Sequence, residues 1–217
     1  MKSLPTPYSS SPKLSTIVVG IDVGSPKKGF HAVALCDGRY HDKKVTKSAD
    51  EIEAWCLKLD VSVIGIDAPC RWSTTGRARS AERDLATERI FCFATPSKQV
   101  AETKDFYRWM QAGTELFRII EQHYQLFDGS TVPVKGKVCF ETFPHAVACA
   151  LAGKVVSAKH KRRIRHELLR QAGMDMEALT NIDIIDAALC ALAAHHLVGG
   201  TFKTYGDAMT GLIVVPA

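Results

Sequence analysis

The chain has 217 residues, 46% of them hydrophobic and 24% charged, with a net charge of +5. This length and composition suit one α/β domain with a full core, and the mild positive charge permits a polyanionic partner without requiring one. No apolar run approaches the roughly 20 residues that cross a bilayer, so we expect no membrane partner.

Two further features concern the N-terminus and the cell compartment. Residues 1–15 are polar and rich in Ser and Pro, without the apolar core of a signal peptide. We expect a disordered tail there, followed by a single domain over residues 16–217.

The seven cysteines are scattered and form no Cys-x-x-Cys pair. This pattern disfavours disulfide frameworks and zinc clusters and predicts a cytoplasmic protein.

The order of the predicted elements indicates an α/β protein. Apolar runs and turn residues predict strands over 17–22, 30–35, 39–45, 61–67 and 137–141, with 212–216 either adding a short strand or lying along the surface. Helical spacing and stop residues predict helices over 49–59, part of 76–90, 104–127, 146–151, 158–172 and the stretch from Asn181 to Gly199.

Three of the predicted strands end on an acidic residue. These residues are Asp22, Asp67 and Glu141. In open α/β sheets, ligands bind at the carboxyl ends of the strands. We therefore expect the three side chains to lie at the edge of the sheet where a ligand binds.

The last predicted helix carries two aspartates, Asp183 and Asp186, near its start. Residues three apart in a helix project from the same face, about one turn apart. Residues 187–194 are apolar around almost the whole circumference, which predicts a buried helix. Carboxylates beside such a helix are costly unless something pairs with them or coordinates them. Capping of the helix explains one aspartate, and a divalent cation explains both.

A helix packed across the sheet edge would bring Asp183 and Asp186 to the strand-end acids. Magnesium and manganese prefer hard oxygen ligands, so an acidic cluster without histidine suits Mg²⁺ or Mn²⁺. Two such ions can activate a water and stabilise the leaving oxygen of a phosphodiester. The alternative is that individual acids cap helices or pair with arginines.

Several short motifs, taken in order, resemble those of a known family. They are Gly20-Ile21-Asp22, Ile66-Asp67-Ala68-Pro69, residues 77–85, Glu141-Thr142-Phe143-Pro144-His145, residues 165–173 and the helix of Asp183 and Asp186. Together they resemble the domain of unknown function 429 family of predicted nucleases. The helix motif also resembles that of the RuvC-type Holliday-junction resolvases. The resemblance implies a ribonuclease-H-like α/β fold, in which a central mixed β-sheet is flanked by helices on both faces.

The resemblance also implies roles for individual acids. Asp22 would be the metal ligand on the first strand, and Asp67 the ligand on the fourth. Asp183 and Asp186 would complete the site. Our own expectation adds Glu141, at the end of a further strand, as an auxiliary ligand.

Other polar residues are weaker candidates for contacts with a substrate. They are Arg77, Lys98, His145, Lys159, Arg162 and Arg163. The basic run over 159–166 could hold a phosphate backbone, and a solvated helix face explains the same run. His145 and Lys98 could serve in proton transfer or contact the scissile phosphate, or could be ordinary surface or strand-end residues.

These features predict a metal-dependent nuclease that acts on DNA or RNA. Paired cutting of a junction would require a homodimer. One alternative is a phosphotransferase of the actin-like kinase type, suggested by residues 20–25, although one domain of this size would have to dimerise to enclose a nucleotide. Another is a non-catalytic module that binds nucleic acid or protein. A cluster of acids argues against that module, because carboxylates facing phosphate do not help binding.

Overall fold

A mixed β-sheet organises the protein, whose computed structural model describes residues 15–129 and 136–217. Its strands are β1 (Ile17–Val23), β2 (Phe30–Cys36), β3 (Arg39–Thr46), β4 (Val63–Asp67), β5 (Gln125–Leu126), β6 (Val138–Glu141), β7 (Phe202–Asp207) and β8 (Gly211–Pro216). Their order is β3-β2-β1-β4-β6-β8-β7, and β5 pairs with β6. Strands β1, β4, β6 and β8 pair in parallel, whereas β2 and β7 pair antiparallel on either side of them.

Helices cover both faces of this sheet. They are α1 (Ala49–Lys58), α2 (Ser80–Thr87), α3 (Lys98–Glu102), α4 (Arg108–Ile120), α5 (Pro144–Ala152), α6 (Lys161–Gln171) and α7 (Ile182–Val198), with 3₁₀ turns at Asp105–Tyr107 and Ala158–His160. One core packs α2, α5, α6 and α7 against the sheet. The other core packs α1 and α4 against the opposite face. This architecture confirms the predicted fold class.

Three sequence predictions need correction or completion. The predicted helix over 104–127 is wrong at both ends, since α4 spans Arg108–Ile120 and the chain then turns into β5. Buried Tyr124 fixes that turn, and its hydroxyl donates a 3.0 Å hydrogen bond to the carbonyl of Val61. Strand β7 was missed because it is a largely polar edge strand. The stretch over 212–216 lies within β8, which is buried throughout and pairs with β6 and β7.

The disordered tail expected over residues 1–15 lies, apart from Ser15, outside the described residues.

We also examined the helices for a possible membrane span. Among the described residues, no helix is both long enough and apolar enough to cross a membrane.

Helix α7 lies directly on β1 and β4. Gly20 and Gly65 occupy partner positions in the parallel register of these strands. A Cβ atom at Gly20 would stand 2.0 Å from the nitrogen of Ala191, and one at Gly65 would stand 2.8 Å from the carbonyl oxygen of Cys190. Such separations are far below van der Waals contact, so only glycine lets the helix backbone approach this closely.

This contact sets the position of the acidic residues. Asp22 follows Gly20 along β1, and Asp186 immediately precedes Ala187, whose carbonyl oxygen would be 2.1 Å from a Cβ at Gly20. The N-terminus of α7 therefore lies over the carboxyl ends of β1 and β4. The acids on the helix and those on the strands meet at one edge of the sheet.

We predict that Gly20→Ala destabilises the protein by about 1–3 kcal/mol or more, because the added methyl group overlaps the backbone of α7. Urea unfolding followed by circular dichroism measures the loss. Gly199→Ala is the matched control, since Gly199 is exposed and the nearest atoms, the carbonyl oxygens of His195 and His196, would be 3.6 Å from the new Cβ. Equal stability of the two variants would contradict the close contact.

Candidate acidic site at the sheet edge

Asp22 and Asp67 stand side by side at the carboxyl ends of β1 and β4. They are partner residues in the parallel register, two positions beyond the glycine pair Gly20 and Gly65. Because side chains alternate along a strand, both aspartates project from the face on which α7 lies. Asp22 is buried and Asp67 is partly exposed.

Asp183 and Asp186 approach the same edge from the first turns of α7. The side chain of Asn181 caps this helix by accepting a 2.9 Å hydrogen bond from the backbone nitrogen of Ile184. The helix therefore has its cap without either aspartate. Asp186 is only 5% exposed, so helix capping does not explain why a carboxylate is buried at this position.

The pKa values show that these acids share one electrostatic environment. The pKa of Asp22 is raised to about 8, first by burial and then by the negative charges of Asp186 and Asp183. Burial also raises the pKa of Asp67 well above its usual range, with further contributions from Asp22 and Asp186. The pKa of Asp186 is raised by burial too, although Arg165 opposes the shift. The negative charge that these acids carry when they are ionised is therefore only partly compensated.

Three cations compensate part of that charge. Lys28, from the loop after β1, donates 2.9 Å hydrogen bonds to both oxygens of Asp183. Arg165 donates a hydrogen bond to Oδ1 of Asp186, and Nζ of Lys161 lies 3.6 Å from Oδ2 of the same residue. Sequence reasoning included Lys161 and Arg165 in the basic run over 159–166, but it did not predict that these cations and Lys28 pair with the aspartates. The available signal was the four-residue spacing of Lys161 and Arg165, which places them on one face of α6.

The donor set has the chemistry that a hard divalent cation requires. Within residues 15–129 and 136–217, no group of three or more His, Cys, Asp or Glu side chains forms a metal site. Asp183 and Asp186 are instead bound to Lys28 and Arg165. Oxygen ligands nevertheless suit magnesium or manganese, and the raised pKa values of Asp22 and Asp67 indicate that a further positive charge would be stabilising here. Asp22, Asp67, Asp183 and Asp186 are the residues that could hold such an ion.

Glu141 is bound to a buried arginine. Its Oε1 accepts a 2.6 Å hydrogen bond from Nη2 of Arg79, and its Oε2 accepts from Nη1 at 2.8 Å. The backbone nitrogen of Cys70 donates to the same Oε2 at 2.8 Å. Arg79 also pairs with Glu82 at 2.9 Å. The arginine pairing that the sequence left open is thus observed at Glu141, and we leave this residue out of the proposed ligand set.

The weaker substrate candidates are dispersed. Arg77 is exposed in the loop before α2, and Lys98 is exposed at the first residue of α3. Lys159 is exposed just before α6. Arg162 and Arg163 are exposed on α6, where they line a cleft of about 1180 Å³ against the segment 151–157. The face of α6 that meets Asp186 carries Lys161 and Arg165 instead.

Two buried histidines lie beside the acidic cluster. His145 is 8% exposed at the start of α5, and burial lowers its pKa, assisted by the charges of Arg165 and Lys161. His31 is 7% exposed and faces Asp22 across the antiparallel pairing of β1 and β2. Nδ1 of each ring has no hydrogen-bond partner among the described residues. His31 was not predicted, because only the hairpin register brings it next to Asp22.

Comparisons with known proteins give a family match and several similar structures, two of which are described here. The family model described as "Protein of unknown function (DUF429)" matches residues 20–210. The chain is similar to a Thermus thermophilus RuvC structure, with 15% identity, 86% of this chain and 98% of that chain covered, and a TM-score of 0.46. It is similar to T. thermophilus RuvC in complex with a Holliday junction substrate, with 14% identity, 85% and 94% covered, and a TM-score of 0.46.

The comparison with curated proteins finds no match. The family model, by contrast, matches most of the chain, from the strand that carries Asp22 to the hairpin after α7. The chain therefore belongs to the DUF429 family of proteins of unknown function.

Proposed function

We propose that this protein is a metal-dependent nuclease that hydrolyses phosphodiester bonds in nucleic acid. The observation that carries the proposal is the meeting of Asp22, Asp67, Asp183 and Asp186 at one sheet edge, where burial and mutual repulsion raise the pKa values of three of them. Strongly raised pKa values in a cluster of acids are characteristic of functional sites. The proposed cofactor is Mg²⁺ or Mn²⁺.

Elements of regular secondary structure hold all four acids in place. Asp22 and Asp67 are fixed on neighbouring strands, and Asp183 and Asp186 on the first turns of α7. A divalent ion bound by these carboxylates would supply Lewis-acid polarisation of the phosphodiester and a lowered pKa for the attacking water. Lys28 has 54% of its side chain exposed. It is therefore free to leave Asp183 for solvent or for a substrate phosphate.

The basic residues near the site suit a polyanionic substrate. Lys161 and Arg165 reach Asp186 from α6. Arg162 and Arg163 extend the positive charge along the exposed surface of that helix, and Lys159 does so in the turn just before it. Cationic side chains that follow a phosphate backbone supply most of the affinity for nucleic acid. We therefore propose α6 as the element that contacts the backbone beside the acidic cluster.

We predict that Asp22→Asn lowers metal-dependent cleavage at least about 100-fold, because it removes a fixed oxygen ligand where the phosphodiester reacts. A labelled panel of single strand, duplex, RNA–DNA hybrid and four-way junction, with Mg²⁺ or Mn²⁺, measures the effect. Asp60→Asn is the matched control, since the Asp60 side chain is 89% exposed and pairs with Lys137.

Undiminished cleavage by Asp22→Asn would show that the assignment is wrong. Salt-sensitive binding of the panel without turnover by the wild type would support the non-catalytic module instead. Tight binding of ATP in calorimetry would support the alternative hypothesis of a phosphotransferase of the actin-like kinase type.

We predict that the metal-free protein loses stability as the pH rises from about 4 to about 8. The folded-state pKa of Asp22 is about 8 and its ordinary value is 3.8. The folded state therefore holds the proton more tightly than the unfolded state, and this preference disappears above the folded-state pKa. Urea unfolding over this pH range in EDTA measures the slope.

Two comparisons test the origin of that slope. Asp22→Asn should make it shallower. Mn²⁺ should stabilise the wild type most at the upper end of the range, because metal ligands must be ionised. A slope unaffected by Asp22→Asn would contradict the raised pKa.

We predict that Glu141→Gln lowers the free energy of unfolding by on the order of 3 kcal/mol, because it removes the charge that balances buried Arg79. Its manganese affinity in calorimetry should equal that of the wild type. Asp67→Asn serves as the contrast and should weaken manganese binding. A loss of metal affinity in Glu141→Gln as large as that in Asp67→Asn would restore Glu141 as a ligand.

A further inference from the structure

A recess opens beside the acidic cluster, and its lining includes Asp67. Its volume is about 170 Å³. Its apolar wall contains the rings of Phe93, Trp109 and Phe143 together with Met110. An engineered apolar cavity of about 150 Å³ binds benzene, so a recess of this size accommodates one aromatic ring system.

An aromatic surface continues outward from the recess. The ring of Phe93, which lines the recess, meets the ring of Phe106 edge-to-face with centroids 5.2 Å apart. Phe106 meets Tyr107 in the same way at 5.1 Å. Phe93 is 64% exposed and Phe106 is 55% exposed. Large aromatic side chains that stay together in water, at the mouth of a recess, mark a binding surface.

Apart from Asp67, the charged side chains that line the recess are partnered by one another. Glu82 accepts hydrogen bonds from the backbone nitrogens of Arg79 and Thr95 at 2.9 and 3.0 Å. Arg79 in turn is held by Glu141. A ligand therefore gains ring contacts and apolar contacts here more than specific hydrogen bonds to its edge. Such a site suits a flat ring with little preference for its substituents.

Two lysines lie in the segment of the chain that carries the aromatic surface. Lys98 begins α3, and Lys104 immediately precedes the turn that carries Phe106; both lysines are exposed. Aromatic rings that alternate with cationic side chains are the combination that binds single-stranded nucleic acid, where each stacked base contributes about 1–3 kcal/mol. A base inside a duplex is paired and stacked, and it reaches such a recess only after it is flipped out.

We propose that the recess holds one unpaired nucleobase of the substrate, while a neighbouring base stacks on Phe93 and Phe106. This inference rests on the proposed function and specifies its substrate as single-stranded DNA or RNA, or an unpaired segment. Because Asp67 belongs to both the recess and the acidic cluster, a nucleotide seated here has its phosphate close to the carboxylates. Single-stranded DNA and single-stranded RNA share the group that the recess would bind, which is a nucleobase with an exposed face.

Binding measured without metal tests the inference separately from cleavage. Fluorescence anisotropy in EDTA compares labelled single-stranded DNA, single-stranded RNA and the corresponding duplexes. We expect at least one single strand to bind about tenfold more tightly than its duplex, and the two single-strand arms show which sugar is preferred. Phe93→Ala and Phe106→Ala should each weaken that binding about tenfold, which is the loss of about one stacked base.

The chain offers a matched control in the same segment. Phe91 is 72% exposed but does not line the recess, so Phe91→Ala should leave binding unchanged. Tryptophan fluorescence gives a second readout, because a base in the recess should quench Trp109. The quenching should disappear in Trp109→Phe.

The outcomes separate this inference from the proposed function. Tight single-strand binding without metal-dependent cleavage would support the recess and overturn the nuclease. Cleavage of duplex and single strand at equal rates, with equal binding, would overturn the recess and keep the nuclease. Losses in Phe93→Ala and Phe106→Ala no larger than in Phe91→Ala would show that the proposal is wrong. So would conversion of a dimer to a monomer by these variants in light scattering without a change in oligonucleotide binding, because the surface would then join two copies of the chain.

Discussion

The backbone contact between α7 and the paired glycines of β1 and β4 is the constraint on which the acidic site depends. A Cβ atom at Gly20 would lie 2.0 Å from the helix backbone, so α7 can pack this close to the sheet only over glycine. This short separation between helix and sheet brings Asp186 to Asp22 and Asp67. The same contact buries most of α7, whose residues from Ile184 to Ala194 are all buried. Packing and site geometry are therefore set by one feature.

The consequence of this packing is a concentration of acids whose negative charge, when they are ionised, the fold does not fully compensate. Arg165 and Lys28 each bind one aspartate of α7, whereas Asp22 has a pKa of about 8. A fold optimised for stability alone would gain from replacing such acids with apolar residues. Uncompensated charge of this kind is common at functional sites, where a ligand provides the missing partner.

Glu141 shows why an acid at a strand end is not by itself a ligand. Asp22, Asp67 and Glu141 close three strands in the same way in the sequence, and all three lie at the same sheet edge. Of these three acids, Glu141 is the one that pairs with Arg79 in the described residues, and the same guanidinium donates a 3.3 Å hydrogen bond to the carbonyl of Thr210. The resulting buried network forms the polar wall of the recess beside Asp67. An ion pair thus shapes the space next to the site without joining the acidic cluster.

The sequence by itself determined the apolar strands, the acids at their ends and the buried helix that carries Asp183 and Asp186, because these depend on local hydrophobic periodicity. It also indicated the fold class. Only the tertiary structure decided which cation each acid meets, since Lys28 and Asp183 are 155 residues apart. The same holds for the pairing of His31 with Asp22 and for edge strand β7, whose polar residues carry little strand signal. Which distant residues contact each other depends on how the elements pack. Local hydrophobic periodicity carries no information about these contacts.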